Sequence, residues 1–183
     1  MEYLREAASP NDVHEVELRV PAGIQFQLIF RKQLATPFAV SMREDCVFVF
    51  VDSAAKCLAQ MSRLRHLYGW AGAIRTLLKV VRGNRYFYAV MDGEHVLHTG
   101  WINDSFCSHY NIVPGDLVVG PIWSAPAAQG RGIGTYATQL AINFMFARGR
   151  RVFYIDTANT NIPCLKLIRH CEFGHPIASY IRD

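Results

Sequence analysis

The chain opens with stretches in which apolar and polar residues alternate, the pattern of a strand with one buried face. HEVELRV at 14–20 and IQFQLIF at 24–30 show this alternation on either side of a Pro-Ala-Gly break, and each predicts a strand. DCVFVFV at 45–51 is almost continuously apolar, which indicates a third strand buried on both faces. The first part of the chain is therefore predicted to be rich in β-structure.

Apolar residues change to a helical period between positions 53 and 82. Two groups of them recur at three- and four-residue steps and are separated by Gly69 and Gly72. We predict two helices that break near positions 68–72, with Ser53 as the cap of the first. The positions expected to face the core are Leu58, Met61, Leu64, Leu67, Ile74, Leu77, Leu78 and Val81.

Basic residues lie among these apolar positions, at Arg63, Arg65, Arg75, Lys79 and Arg82. A helix pair that packs on the core and turns a basic face to solvent explains them most simply. A helix that lies on a membrane surface is the alternative.

The second half of the chain alternates strands with helices. RYFYAVMDGEHVLHTGWI predicts a hairpin around Asp92-Gly93, because this dipeptide tolerates the positive φ angles of a tight turn. Further strands are predicted in GDLVVGPIWS, RVFYIDT and HPIASYI, and helices at 131–147 and 161–171. This order predicts an α/β domain with a mixed sheet and helices on its faces.

The size and composition fit one globular domain. A chain of 183 residues with 51% hydrophobic residues is long enough to bury a sizeable core. No apolar run is long enough to cross a bilayer, and the acidic N-terminus, interrupted by Pro10, differs from a signal peptide. The five cysteines show no C-x-x-C spacing, so we predict reduced thiols in a cytoplasmic protein without a zinc site.

The net charge of +4 is concentrated around a glycine-rich segment. Residues 129–170 contain six basic residues and one acid, Asp156, whereas the remainder of the chain carries about −1. A short basic region suits a compact phosphate ligand better than a nucleic acid, which usually contacts a broader basic face. A solvated basic surface is the alternative.

The glycine-rich segment AAQGRGIGTYATQ at 127–139 lies between a predicted strand and a predicted helix. Free amides at the start of a helix attract anions, and Gly130, Gly132 and Gly134 would let a phosphate approach the backbone. A P-loop does not fit because no lysine follows the glycines. The third glycine is one position too early for a dinucleotide-binding fingerprint.

The run from Gln129 to Gly134 satisfies the [QR]-x-x-G-x-[GA] signature of the GNAT acetyltransferase superfamily. IWSAPAAQGRGIGT resembles the strand, proline, loop and helix of that family, and NIPC at 161–164 resembles its N-x-x-A step. CEFG resembles its Gly-Phe ending, with Glu172 where glycine is usual. The resemblance extends from about position 85 to the C-terminus.

The resemblance implies a GNAT-type sheet, mixed but mainly antiparallel, with helices on both faces of a single domain that spans residues 1–183. Residues 1–84 would form a variable part on the acceptor side, and residues 85–183 the core that binds acyl-CoA. The implied activity is N-acyl transfer, most simply the transfer of acetyl from acetyl-CoA to a primary amine.

The resemblance also implies which residues hold acetyl-CoA. The amides of 129–135 would bind its pyrophosphate, with charge-assisted hydrogen bonds from Arg131. The strand edge at 122–124 would pair with its pantetheine arm and supply an oxyanion donor. The residues expected to bind acetyl-CoA are Ile122, Trp123, Ser124, Gln129, Gly130, Arg131, Gly132, Ile133, Gly134, Thr135 and Asn161.

The implied reaction needs a base for the attacking amine and an acid for the departing thiolate. His98, on the second hairpin strand, is our first candidate base, and Asp156, at the end of its strand, is the second. A structural histidine and a turn residue are the alternatives. Ile168 stands where many relatives carry a tyrosine, so water, Tyr110 or Tyr154 is left as the acid.

The acceptor is predicted to be a small-molecule amine, with Trp101 and Tyr110 as aromatic contacts. The segment 53–102 resembles acetyltransferases found with bacterial surface-polysaccharide genes, which would make the acceptor a nucleotide-linked amino sugar whose phosphates contact Arg75 or Arg82. A peptide or lysine amine, a polyamine and an aminoglycoside remain alternatives, as does a non-catalytic module that binds acyl-CoA. No metal, nucleic acid or membrane insertion is expected, and a homodimer is compatible with the sequence.

Overall fold

The computed structural model describes residues 25–181. Its strands are β1 (Gln27–Gln33), β2 (Val47–Val51), β3 (Arg85–Asp92), β4 (His95–Asp104), β5 (Leu117–Ser124), β6 (Val152–Ala158) and β7 (Ala178–Tyr180). Its α-helices are α1 (Ala54–Ala59), α2 (Met61–Val81), α3 (Ile133–Phe146) and α4 (Ile162–His170), and a 3₁₀ turn spans Pro126–Ala128. The strand predicted at 14–20 lies outside the described residues.

These strands form one sheet in the order β2-β3-β4-β5-β6-β1-β7. Neighbouring strands are antiparallel except for β5 and β6, which run parallel. The predicted mixed and mainly antiparallel sheet is confirmed. β1 lies between β6 and β7, so segments from the two ends of the described chain complete the same side of the sheet.

Helices cover both faces of the sheet, as predicted, and each face has its own core. α3 and α4 pack on one face, where Tyr88 and Val90 are buried. α1 and α2 pack on the other face, against Phe87, Ala89 and Trp101. β3 supplies both cores because successive side chains of a strand point to opposite faces.

The cap at Ser53 and the break near Gly69 lie where the sequence predicts, but the boundary between α1 and α2 at Gln60 was not predicted. The Ser53 hydroxyl accepts a hydrogen bond from the amide of Lys56 at 3.3 Å and caps α1. The helical conformation of α2 is interrupted at Gly69, whose φ of 68° and ψ of 177° produce a kink. Within residues 25–181, no helix has the length and hydropathy that crossing a bilayer requires.

The predicted core-facing side of the helix pair is wrong at half of its positions. Cys57, Ala73 and Val80 are buried instead, together with the correctly predicted Leu64. Small side chains let a helix approach a sheet closely, so the contact stripe of α2 is rotated away from its largest apolar residues. The four positions left exposed, with their exposed fractions, are Leu58 (57%), Ile74 (49%), Leu78 (54%) and Val81 (57%).

One further local prediction, the position of the hairpin turn, is corrected by the structure. Asp92 pairs with His95, so the central residues of the hairpin turn are Gly93 and Glu94 rather than Asp92 and Gly93. Gly93, with φ of 55°, takes the first central position, where a two-residue turn accommodates glycine. β2 is an edge strand, but the prediction that both of its faces are buried holds apart from the exposed Val47, because Phe48 and Phe50 pack into one core and Val49 and Val51 into the other.

Candidate active site

The parallel strands β5 and β6 separate partway along their length and leave a cavity between them. They pair only over residues 117–119 and 153–155. Beyond that point β5 keeps its pairing with β4, and its other edge faces a cavity of about 490 Å³. We call this cavity the cleft. Its walls include Arg85, Asn103, Phe106, Ile122, Asp156 and Asn161.

The end of β5 leads directly into the glycine-rich segment. After Ser124, the turn at Pro126–Ala128 delivers the chain to residues 129–135, which we call the glycine loop. Gly130 and Gly132 have φ of 75° and 73°, in the left-handed region that favours glycine. A Cβ atom at either position would have no heavy atom within 4 Å, so the backbone there is open to a ligand.

The backbone amides of the glycine loop meet at the N-terminus of α3. Gly132 caps this helix, and the amide of Tyr136 closes its first turn on the Gly132 carbonyl at 3.0 Å. The amides of the first turn, Ile133, Gly134 and Thr135, contact no backbone carbonyl in the described part of the chain. Free amides and the helix dipole together favour an anion at this place.

Gly134 has a different role from the other two glycines. A Cβ atom there would lie 3.1 Å from Leu167 and 3.4 Å from the ring of His98. Glycine therefore lets the first turn of α3 pack closely on β4 and α4. Ile133 is fully buried and belongs to the core, whereas Gly134 and Thr135 in the same turn are half-buried.

Charged side chains from the segment before β2 hold the glycine loop. Arg131 forms an ion pair with Asp45 at 3.2 Å, and the Arg43 guanidinium donates to the Arg131 carbonyl at 3.1 Å. The hydrogen bond from Arg43 keeps the pKa of Asp45 well below its usual range. Arg43 and Asp45 were not predicted to contact the loop, because they are far from it along the chain.

His98, the first candidate base, is fully buried between the sheet and α3. Its Nδ1 lies 2.8 Å from the hydroxyl of Ser124, and its ring stacks on Tyr88 at a centroid distance of 5.9 Å. Burial lowers the pKa of His98 to about 4. His98 is not among the residues that line the cleft, so its place supports a structural role; its assignment as the base stays a prediction.

Asp156, the second candidate base, lies in the wall of the cleft on β6. Its carboxylate accepts a hydrogen bond from the hydroxyl of Tyr180 at 2.8 Å and a longer one from Tyr110 at 3.5 Å. Burial, and after it the charge of Asp156, raises the pKa of Tyr110 far above its usual value. The Tyr110 phenol therefore stays protonated and remains a donor to the carboxylate.

The aromatic residues expected around the acceptor lie in different places. Trp101 is buried beneath α2, with Phe87 at a ring distance of 5.2 Å and the Lys79 ammonium 5.0 Å from its ring. It does not line the cleft, so the prediction that it contacts the acceptor is corrected. Tyr110 lies beside Asp156, as described above.

The last helix places an amide and a thiol at the cleft rather than a phenol. Ile168 is buried in the core and offers no proton. Asn161, expected to bind acetyl-CoA, lines the cleft and caps α4 by accepting from the Cys164 amide at 3.2 Å. The Cys164 thiol is also in the cleft wall, and burial raises its pKa. Among the described residues, no group of three His, Cys, Asp or Glu side chains is arranged to hold a metal.

Two further cleft residues were missed in the sequence. Arg85 lies at the start of β3, with its guanidinium carbon 4.9 Å from the centre of the Phe106 ring. Asn103, opposite Arg85 on β4, donates to the carbonyl of Gly120 at 2.8 Å, where β5 leaves β6. Only the pairing of β3 with β4 brings these side chains to the cleft.

Comparison with protein families gives one match. A family model described as the Acetyltransferase (GNAT) family matches residues 58–173, which is more than half of the chain. No curated protein sequence matches the chain.

Solved structures with the same fold include several acetyltransferases. AAC(6')-Iy with the bisubstrate analogue CoA-S-monomethyl-acetylneamine has a TM-score of 0.57 at 10% identity, covering 75% of this chain and 97% of that one. The aminoglycoside acetyltransferase meta-AAC0020 from an uncultured soil metagenomic sample, with trehalose, has a TM-score of 0.58 at 8% identity, covering 78% and 98%. The ribosomal-protein-S5-alanine acetyltransferase from Vibrio fischeri has a TM-score of 0.51 at 16% identity, covering 72% and 81%.

Proposed function

The chain belongs to the GNAT acetyltransferase family and is an N-acetyltransferase that uses acetyl-CoA, and from that premise we propose that it acetylates a small-molecule amine bound in the cleft. The observation that carries this proposal is the junction of three features. The open edge of β5, the glycine loop at its end and the carboxylate of Asp156 all border one cavity or lead into it.

The glycine loop fits the pyrophosphate of acetyl-CoA. Open space at Gly130 and Gly132 lets a phosphate reach the backbone, and the amides at the start of α3 are available to it. The edge of β5 at residues 122–124 suits the amides and carbonyls of the pantetheine arm, which would add to the sheet as a strand does. Gln129, Arg131, Thr135 and Trp123 have exposed or half-exposed side chains at these surfaces.

We propose that Asp156 is the base that accepts a proton from the amine. Acetyl-CoA supplies the acetyl thioester, and the amine must attack its carbonyl carbon as a neutral group. The Asp156 carboxylate, directed by the Tyr180 hydroxyl, accepts the proton that the amine gives up as the C–N bond forms. The thioester C–S bond then breaks, and CoA leaves as a thiolate that takes a proton from water. A backbone amide on the free edge of β5 donates to the oxygen that becomes negative during the attack.

A more specific proposal is that the acceptor is a nucleotide-linked amino sugar, and for this acceptor the arginine that contacts its phosphates has to be changed. Its phosphates were expected to contact Arg75 or Arg82. Both residues are exposed on or at the end of α2, and neither lines the cleft. The cleft contains another arginine, Arg85, and an anionic part of the acceptor fits that residue better.

A panel of amines tests the proposed activity. The purified chain is mixed with acetyl-CoA and single amines: amino sugars, amino acids, polyamines, an aminoglycoside and a peptide with a free N-terminus. Release of the CoA thiol is followed together with the mass of the acetylated product. We expect thiol release above the hydrolysis rate with at least one small amine. Release with the peptide alone would contradict a small-molecule acceptor, and tight CoA binding without release by any amine would contradict transfer.

A further inference from the structure

The cleft carries two opposite charges that form no ion pair within residues 25–181. Among the described residues that line it, Arg85 and Asp156 are the two that belong to the Arg, Lys, Asp and Glu set. Six ion pairs connect residues in the described range, and none of them includes Arg85 or Asp156. A partly buried charge without a counter-ion is unfavourable, so two such charges in one cavity indicate a ligand that complements both.

The Arg85 guanidinium is held in place but leaves its hydrogen-bond donors available. It is half-buried at the start of β3 and lies over the ring of Phe106 at 4.9 Å. A stacked guanidinium keeps its planar edge free for an oxygen pair of a carboxylate or a phosphate. Burial and then the charge of Arg85 lower the pKa of Lys79 on α2.

On the Asp156 side of the cleft, the groups that donate hydrogen bonds to the carboxylate are neutral. Phenols of Tyr180 and Tyr110 orient the carboxylate without cancelling its charge. A carboxylate in this setting attracts an ammonium group and can then accept its proton. The two walls of the cleft therefore select for groups of opposite charge.

Resting on the proposed function, we infer that the natural acceptor carries an acidic group in addition to its amine, with Arg85 binding the acid and Asp156 the amine. The acid is a carboxylate or a phosphate, since the guanidinium fits both. A polycation such as a polyamine or an aminoglycoside would bring a like charge next to Arg85.

Matched pairs of acceptors test this inference in the intact chain. Glucosamine 6-phosphate is compared with glucosamine, and lysine with 1,5-diaminopentane, so that each pair differs in one phosphate or one carboxylate. We expect kcat/KM to be higher for the acidic member of at least one pair by about tenfold or more. The pair that shows the larger ratio identifies the acid as phosphate or carboxylate. Equal or lower values for both acidic members would overturn the inference.

Arginine variants connect the preference to Arg85. Arg85→Gln should bring the ratio within the preferred pair close to 1, Arg85→Lys should restore part of it, and the KM for acetyl-CoA should stay the same. Arg82→Gln is the matched control, because Arg82 is exposed at the end of α2 and outside the cleft. If Arg82→Gln removed the preference and Arg85→Gln did not, the acid would bind at α2 and the inference would be wrong.

Calorimetric titration separates this inference from the proposed activity. Glucosamine 6-phosphate and lysine are titrated into the wild-type chain and into Arg85→Gln in the presence of CoA. If no amine is acetylated but an acidic compound binds with a dependence on Arg85, the inference holds and the transfer proposal fails. If amines are acetylated and neither acidic compound binds through Arg85, the transfer proposal holds and the inference fails.

Discussion

The glycine loop and the cleft take part in one reaction but are built from different chemical groups. The loop is a continuous segment that offers backbone amides and the space left by missing side chains. The cleft offers side chains from β3, β4, β6 and the segment between β4 and β5. A backbone site requires glycine at fixed spacing and so leaves a local pattern in the sequence, whereas a side-chain site depends on the sheet pairing that assembles it.

Removing the carboxylate of Asp156 should have the largest effect and should be confined to the cleft. A general base contributes roughly a hundredfold or more to the rate, so Asp156→Asn should lower kcat/KM for the acceptor by about that factor. The KM for acetyl-CoA should not change, because the glycine loop is untouched. Steady-state kinetics with each substrate varied in turn measures both effects.

Asp92→Asn, at the exposed end of β3, is the matched control for Asp156→Asn. It should leave all constants unchanged. A rise in the acceptor KM at constant kcat would show that Asp156 binds the ammonium group without accepting its proton.

Much of the fold was predictable because its signals are local. The Ser53 cap, the break at Gly69, and the strand–loop–helix order around the glycine loop each depend on a few neighbouring residues. The errors come from packing between distant elements. The contact stripe of α2 includes Ala73 and Val80, and the helical period alone does not reveal which side of α2 meets the sheet.

The residues of the candidate site also fall into those with a local sequence signal and those that depend on the packing of distant elements. Gln129 and the glycines marked the loop, but the hairpin alone could not tell which face of β4 carries His98 and which carries Trp101. Each lies in a core, on opposite faces of the sheet, rather than in the cleft. Arg85 could not be assigned to the cleft from the sequence, since the splay of β5 from β6 creates the cavity that it faces.

Adding a side chain in the glycine loop should have the next largest effect, and this effect should be confined to the binding of acetyl-CoA. Gly132→Val blocks the open backbone face and should raise the KM for acetyl-CoA by tens of times, since the loss of one charge-assisted hydrogen bond costs roughly 1.5–3 kcal/mol. The acceptor KM should change little. The same kinetic experiment detects this separation.

Gly149→Val is the control for backbone strain in Gly132→Val. Gly149 lies in the turn after α3 with φ of 85° and nothing within 4 Å of a Cβ position, so a valine meets the same conformational cost outside the site. If both variants raised the KM for acetyl-CoA equally, strain would explain the result and the loop assignment would fail.

Replacing the tyrosines beside Asp156 should have smaller effects, and the tyrosine with the shorter hydrogen bond to the carboxylate should have the larger one. Tyr180→Phe removes the 2.8 Å hydrogen bond to the carboxylate and should lower acceptor kcat/KM about tenfold, because a hydrogen bond to a charged group is worth roughly 1.5–3 kcal/mol. Tyr110→Phe removes the 3.5 Å contact and should cost less. The reverse ranking would show that the acceptor itself, rather than Asp156, is the partner of Tyr110.

Replacing His98 should have the smallest effect. The result also tells whether His98 belongs to the core or to the cleft. Its pKa is lowered by burial to about 4 in the folded chain, against about 6.5 when unfolded. Between these values the unfolded chain binds a proton that the folded chain does not, so stability is lost as the pH falls from 6.5 towards 4. Between pH 7.5 and pH 5.5, the free energy of unfolding should fall by about 1 kcal/mol more in the wild type than in His98→Asn.

Urea denaturation at the two pH values measures that difference, and the remaining histidines, common to both chains, cancel. The pH dependence of acceptor kcat/KM between pH 6 and 9 should be the same in His98→Asn as in the wild type, because a buried neutral imidazole does not titrate there. A pH profile altered by His98→Asn, with equal losses of stability, would place His98 in contact with the reacting amine. His98 would then belong to the cleft, and the proton transfer would have to be reassigned from Asp156 on β6 to His98 on β4.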